Sequence, residues 1–468
     1  MQEIDRTRFG YITTIVAIAT IGGFMFGYDS GVINGTQKGL ETAFGLGSLG
    51  LGINVGAILI GCAVGAFIAG RLADAIGRRG VMLAAAVLFL VSAVLTGIAG
   101  SSAEFIAGRI VGGLGVGAAS VIAPVYISEV VPADRRGRLS SIQQVMIIVG
   151  LTGSFLTNFA LARFAGGSTF ELWLGIPAWR WMFLIEGVPA VIYFFALLLI
   201  PESPRYLVIK RHKEKALEVL TRLFGREAAL ARVKEIERSL AADHHRPRFS
   251  DLIDKTSGRV RKIVWVGIGL AMFQQLVGIN VVFYYGATLW EAVGFSEDQA
   301  LQTNVLSGVL SISACLVAIG LVDRIGRRPL LKLGSIGMAL ALATVAWAFF
   351  SGTRMPGGEL VLPGNSALIA LVAANLYVVF FNASWGPIMW VMLGEMFPNQ
   401  IRGSGLAVAG FAQWIANAVV SVSFPSLVEW PGLALSYVGY SLFAVLSYVF
   451  VRMAVHETNG IELEDMAG

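Results

Sequence analysis

Only two cysteines and four histidines occur among the 468 residues. Cys62 and Cys315 both fall in apolar runs and are too far apart to form a motif, which argues against a disulfide framework or a thiolate metal site. They read as small buried hydrophobes. His212, His244, His245 and His456 all lie in polar segments, and no nucleophile–base pair is evident, so no enzymatic activity is expected. Charge is scarce as well, at 14% of residues. No Gly-rich loop ends in Lys-Ser or Lys-Thr, which argues against ATP hydrolysis. The run Gly112-Gly113-Leu114-Gly115-Val116-Gly117 has the look of a dinucleotide loop, yet it sits inside an apolar stretch with no strand before it.

What the chain has instead is hydrophobicity: 56% apolar residues and a mean hydropathy of +0.73. At about 20 apolar residues per crossing, twelve spans are predicted, at 11–35, 48–70, 80–99, 103–128, 140–162, 180–200, 262–290, 300–322, 329–350, 366–393, 404–424 and 431–453. The first is too long for a signal segment and lacks a small-residue cleavage site, so it is kept as a membrane helix. Glycine reaches 56 residues and recurs four apart, as in Gly61 to Gly65 and Gly113 to Gly117, a spacing that lets helices approach closely.

Asp29 stands alone in an otherwise uncharged apolar run. A charge at the bilayer centre costs about 2.5 to 3.5 kcal/mol on insertion scales, so such a residue usually faces a cavity and binds or relays something. Arg109, inside the fourth span, carries a similar cost, and pairing the two is the economical arrangement. Desolvation and a neighbouring guanidinium push a carboxyl in opposite directions, so making and breaking that contact would shift its proton affinity.

The formal charge is +5, but its placement matters more. Arg71, Arg78, Arg79, Arg135, Arg136, Arg138, Arg324, Arg327, Arg328, Lys332 and Arg402 all fall in alternate loops, and the polar segment 205–262 adds more Lys and Arg than Asp and Glu. The positive-inside rule makes these loops and both termini cytoplasmic; nucleic acid is not an expected partner.

The segment Gly70-Arg71-Leu72-Ala73-Asp74-Ala75-Ile76-Gly77-Arg78-Arg79 recurs as Gly320-Leu321-Val322-Asp323-Arg324-Ile325-Gly326-Arg327-Arg328. Glu129, Pro132, Arg136 and Gly137 recur with the same spacing as Glu395, Pro398, Arg402 and Gly403. The chain is therefore read as duplicated: a six-helix bundle at 1–204, a helical linker at 205–261, a second bundle at 262–455 and a tail at 456–468. Two parallel six-span repeats place a substrate between them near the bilayer midplane. Within the linker, Leu217, Leu220, Leu223 and Phe224 share a helical face, and a second helical stretch follows at 227–240.

With Gly27-Tyr28-Asp29, the two Arg-Arg loops, Pro201-Glu202-Ser203-Pro204-Arg205, Gln274-Gln275-Leu276-Val277-Gly278-Ile279-Asn280, and Gly386-Pro387 with Trp390, the chain resembles the sugar porter family of the major facilitator superfamily. Bacterial xylose and glucose proton symporters are nearest in pattern, especially over 384–403. One family element departs: the usual Pro-Glu-Thr-Lys-Gly after the last span stands here as His456-Glu457-Thr458-Asn459-Gly460. The resemblance implies an all-α membrane protein of twelve helices in two parallel six-helix bundles, with short cytoplasmic helices between them. It implies a sugar site of Gln144, Gln274, Gln275, Asn280, Trp390, Gln413 and Trp414. The chemistry suits a sugar, because side-chain amides both donate and accept and are cheaper to bury than charges. Phe26, Phe381, Tyr284 and Tyr285 are expected to line or gate the cavity, and Ser311 stands where the family often has asparagine. Gln275 and Asn280 do not align on one stripe of a straight helix, so a break at Gly278 is expected.

The expected function is a proton-coupled monosaccharide symporter working by alternating access, with Asp29 and Arg109 as the coupling pair, the proton as coupling ion and no other cofactor. A cytoplasmic charge network of Arg71, Asp74, Arg78, Glu129, Arg136 and Glu202, with Asp323, Arg327, Glu395, Arg402 and Glu457, would latch the inner helix ends while the outside is open and dissolve on inward opening. The expected partners are a sugar and the lipid bilayer, with the chain acting as a monomer in a bacterial inner membrane. A facilitator without proton coupling is the alternative. A membrane sugar sensor would call for a long cytosolic domain, whereas about fifteen residues follow the last span here.

Overall fold

In a membrane every backbone polar group must be bonded internally, so apolar spans fold as helices. The computed structural model describes residues 6–132, 136–242, 252–253, 258–354, 360–398 and 401–458, and among these twelve helices are long and apolar enough to cross a bilayer. They run Arg8–Gly35, Ser48–Ile76, Arg78–Ile98, Ser102–Val130, Ile142–Ala165, Ala178–Leu198, Lys262–Glu291, Glu297–Ile325, Arg327–Phe350, Ser366–Met396, Arg402–Glu429 and Leu433–Ala454. Most ends agree with the hydropathy reading within a few residues. The second span continues six residues further, because Arg71, Leu72, Ala73 and Asp74 extend the helix as a polar end. Large apolar side chains such as Phe195, Leu340 and Trp347 face outward, as a lipid-bathed surface requires.

Among the described residues, three helices join the two six-span halves: Pro204–Ile209, Lys213–Phe224 and Arg226–Ala242. Leu220 and Leu223 are buried, so the amphipathic face predicted at 213–224 packs inward. A two-stranded hairpin, Thr353–Arg354 with Leu360–Val361, was not anticipated.

Small residues set the packing. A methyl on Gly113 would lie 2.9 Å from the Cys62 nitrogen, and one on Gly117 would lie 2.6 Å from the Ala66 nitrogen, so the second and fourth spans meet backbone to backbone. The seventh span breaks between Leu276 and Ile279, with Gly278 at φ +86° against the Tyr440 ring, as its sequence predicts. The tenth span breaks after Asn382 and restarts at Trp385.

Candidate transport site

Asp29 and Arg109 are both almost wholly buried, and they pair: Nη1 of Arg109 donates to Oδ1 of Asp29, while both Nη atoms reach the Asp29 carbonyl at 3.2 Å. The guanidinium also lies 5.8 Å from the centre of the Phe183 ring. The pair has a neighbour that the sequence reading passed over. Glu186 is 1% exposed where the sixth span is interrupted, between helices Ala178–Ile185 and Gly187–Leu198. It lies within electrostatic range of both Asp29 and Arg109. The reasoning that singled out Asp29 also applied to Glu186, which sits inside an apolar span; its nearness to the predicted end at residue 180 hid it.

Four of the predicted amides come together. Gln274 donates to the Trp385 and Gly386 carbonyls at 3.3 Å, in the first turn after the break in the tenth span. Its Oε1 accepts from Gln275 and from Gln413, each at 3.0 Å, and Gln275 Oε1 accepts from Asn280 at 2.5 Å. The turn at Gly278 brings Asn280 back within reach of Gln275. Trp414, beside Gln413, is buried with its ring centre 5.9 Å from that of Phe26, so it touches the first span of the opposite half. Phe26 is one helical turn from Asp29.

Other expected members lie elsewhere. Trp390 is 39% exposed, and no ring contact or hydrogen bond described here joins it to the amides; the buried tryptophan at this break is Trp385, bonded to Ser335 at 2.9 Å. Gln144 is half-buried and takes no part in the amide chain, whereas its neighbour Gln143 is buried against Gly23. Adjacent helical positions point about 100° apart, so only one of the two can pack on the first span. Ser311 is buried and accepts from Asn382 at 3.2 Å. Phe381 is buried in an apolar cluster that draws on both halves. Tyr285 bonds the Ser421 carbonyl at 2.6 Å, and the Tyr284 carbonyl accepts from Gln37.

At the end of the molecule that carries the Arg-Arg loops, here termed the basic end, two matching clusters form. Arg78 grips Glu129 through Nε and Nη2, both at 3.1 Å, and reaches Asp74 at 3.4 Å. Arg327 grips Glu395 at 3.1 and 2.9 Å and reaches Asp323 at 3.0 Å. Glu202 accepts from the backbone of Arg78 and Arg79, and Glu457 from that of Arg327 and Arg328. Ser203 bonds Glu129 as Thr458 bonds Glu395. The His456-Glu457-Thr458 segment thus repeats the role of Pro201-Glu202-Ser203, a third correspondence between the halves that sequence comparison missed.

Two expected members of this network stand apart. Arg71 is exposed and lies 5.7 Å from the ring centre of Phe67, one turn earlier on its own helix. Arg402 donates to the Phe397 carbonyl at 3.2 Å instead of a carboxylate. The side chain of Arg136 lies outside the described residues.

Each cluster is built from one half, and the polar contacts described between halves sit at the opposite end. Asn34 donates to the Phe283 carbonyl at 2.8 Å, while its Oδ1 accepts from Ala287 at 2.9 Å and from Asn304 at 2.8 Å. Gln37 bonds Thr288 and the Tyr284 carbonyl. Ser168 donates its backbone N–H to Glu297 at 2.9 Å, and Lys38 approaches Glu291 at 3.8 Å. The charge clusters are thus complete while this seam is sealed. Ties of this kind, made within one half, need not change when the halves rock.

Residues 15–468 match the family described as Sugar (and other) transporter. The chain belongs to this sugar transporter family. The transporter is 47% identical over 457 residues to a glucose transport protein of Synechocystis, covering 97% of each chain. It is 37% identical to the D-xylose-proton symporter of Escherichia coli K12, covering 97% of this chain and 95% of the relative. A structure of the E. coli xylose transporter XylE in an inward open conformation superposes with a TM-score of 0.82 at 35% identity, covering 97% and 99% of the two chains. XylE bound to 6-bromo-6-deoxy-D-glucose superposes at 0.77 with 36% identity, covering 98% and 99%. The architecture is accordingly the major facilitator fold, two parallel six-helix bundles spanning the membrane, and the protein is a transporter, not an enzyme.

Proposed function

We propose that this transporter couples inward movement of one proton to uptake of a monosaccharide, and that the structure represents its inward-facing state. The observation that carries the proton assignment is the buried Asp29–Arg109 pair, one helical turn from the Phe26–Trp414 contact that leads to the amide cluster. The inward-facing assignment is supported by the sealed seam opposite the basic end and by the closer superposition on the inward open relative. The basic end faces the cytoplasm under the positive-inside rule, in a bacterial inner membrane, and the chain acts as a monomer.

In this cycle, protonation of Asp29 from outside releases Arg109, and a hexose or pentose replaces the mutual bonds of Gln274, Gln275, Asn280 and Gln413 with bonds to its hydroxyls. Trp414 then reports occupancy to Phe26, and the halves rock inward. Loss of the proton re-forms the ion pair for the return. One charge crossing about 100 mV gains about 2.3 kcal/mol, which at about 1.4 kcal/mol per decade sustains roughly fiftyfold accumulation.

The test is uptake of labelled hexoses and pentoses into proteoliposomes, with and without an imposed pH gradient, for the parent and Asp29→Asn. Uphill uptake is expected in the parent alone, with sugar exchange preserved in both. Uphill transport by Asp29→Asn would overturn the proton assignment. A parent that exchanges sugar but never accumulates it would be a facilitator.

A further inference from the structure

Asp29 is fully buried, so its proton cannot pass directly to bulk water and must cross protein-lined space. We propose that Tyr193 relays this proton toward the basic end, between the Asp29–Arg109–Glu186 group and the surface cluster around Glu202; this rests on the symport reading above. Tyr193 follows Glu186 by seven residues, so it lies two turns further along the sixth span on nearly the same face, about 10 Å nearer the basic end. On the first span, Gly22 stands in the same relation to Asp29. The two ladders meet: a methyl added at Gly22 would lie 2.7 Å from the Tyr193 hydroxyl and 3.5 Å from Ala119 of the fourth span. Seven residues beyond Ala119, Tyr126 donates to the Pro201 carbonyl at 2.7 Å, next to Glu202.

The hydroxyl has no packing reason to be there. Tyr193 is buried in the apolar core of the first half, and no protein group bonds its oxygen. Phenylalanine would fill the same space without burying an unpaired polar atom. Oδ2 of Asp29, Nε of Arg109 and Oε1 of Glu186 likewise have no protein partner. Buried groups of this kind are commonly satisfied by water. An interval of about 10 Å between side chains is the length of a chain of two or three hydrogen-bonded waters. The buried ionisable groups on the spans around Tyr193 are Tyr28 and Asp29 on the first, Arg109 and Tyr126 on the fourth, Glu186 on the sixth, and Arg78 at the basic end of the third.

The transfer is a proton hop with no net change at the tyrosine. The phenolic oxygen accepts a proton from the carboxyl side through water while its own O–H proton leaves toward Tyr126. Gly22 is what lets the oxygen approach the first span.

The experiment compares Tyr193→Phe, Gly22→Ala and Asp29→Asn with the parent in proteoliposomes, measuring sugar uptake driven by a pH gradient and sugar exchange at equal pH. A lost proton relay lowers a rate by about tenfold or more. Tyr193→Phe is expected to lose that much of its gradient-driven rate and to shift its pH profile, while exchange stays within about twofold and shows that the variant is folded. Gly22→Ala, which pushes the hydroxyl aside, should behave alike. The relay is overturned if Tyr193→Phe matches the parent in both assays, or if uptake and exchange fall together. Uphill uptake by Asp29→Asn would overturn the symport reading and the relay with it. Loss of uphill uptake in Asp29→Asn with no effect in Tyr193→Phe would overturn the relay alone.

Discussion

Asn34 holds Asn304 across the boundary between the halves, its Oδ1 accepting from the Asn304 amide at 2.8 Å in a fully buried setting. Replacing Asn34 with alanine strands that amide and the Ala287 N–H. A buried polar group left unpaired costs about 1 to 3 kcal/mol, so the seal should weaken by about tenfold or more. Asn34→Ala is expected to favour the outward-facing state. The measure is labelling of Leu301→Cys by a membrane-impermeant thiol reagent in a background lacking Cys62 and Cys315; unchanged labelling would show that Asn34 does not hold the seam.

Glu41 lies just beyond the first span and borders a cavity of ≈ 220 Å³ on the sealed seam, together with Lys38, Glu291 and Glu297. Burial raises its carboxyl above the usual range. The sealed state therefore binds this proton more tightly than a state in which Glu41 is hydrated. Acidification through that range stabilises the seal, and the stabilisation is lost as pH rises. The same labelling assay should slow in the parent as the pH is lowered from neutrality toward the ordinary carboxylate range. Glu41→Gln should be slow at both ends, with its pH dependence reduced.

Gly278 turns the chain at φ +86°, and a methyl there would lie 2.8 Å from the Tyr440 ring. The left-handed conformation alone costs a side chain about 1 to 2 kcal/mol. Gly278→Ala should misplace Gln275 relative to Asn280 and weaken sugar binding by about tenfold or more. Tryptophan fluorescence titration would measure it, with Gly394→Ala, which has open space around its added methyl, as the neutral comparison.

Glu129 supplies both oxygens of the fork that holds Arg78, and both side chains are about nine-tenths buried. Breaking such a pair from one side costs about 3 to 5 kcal/mol. Glu129→Ala is expected to lower the melting temperature in detergent while leaving the balance between inward- and outward-facing states near that of the parent. Normal melting with altered accessibility would restore the latch role that the sequence suggested.

The fold was legible because hydropathy and duplication are properties of the chain itself. Twelve apolar runs could be counted, and the paired Arg-Arg loops marked the repeat. The amides of the seventh and eleventh spans were legible as a set through their family pattern, and the break at Gly278 followed from the positions of Gln275 and Asn280. Trp390 and Gln144 were less so, because motif membership says nothing of which way a side chain turns on its helix. The Asn34–Asn304 contact was hidden because it joins residues 270 positions apart. Arg71 shows the converse: a residue inside a repeated motif whose exposed position gives it no carboxylate to hold.

Glu202 and Glu457 each tie the end of a half's last helix to the start of its third, through backbone N–H groups at 2.9 Å on Arg78 and Arg327. Such a clasp fastens each half to itself without help from the other. A transporter synthesised as two polypeptides, parted after Ala242, should therefore reassemble in the membrane and carry sugar, each fragment arriving already folded.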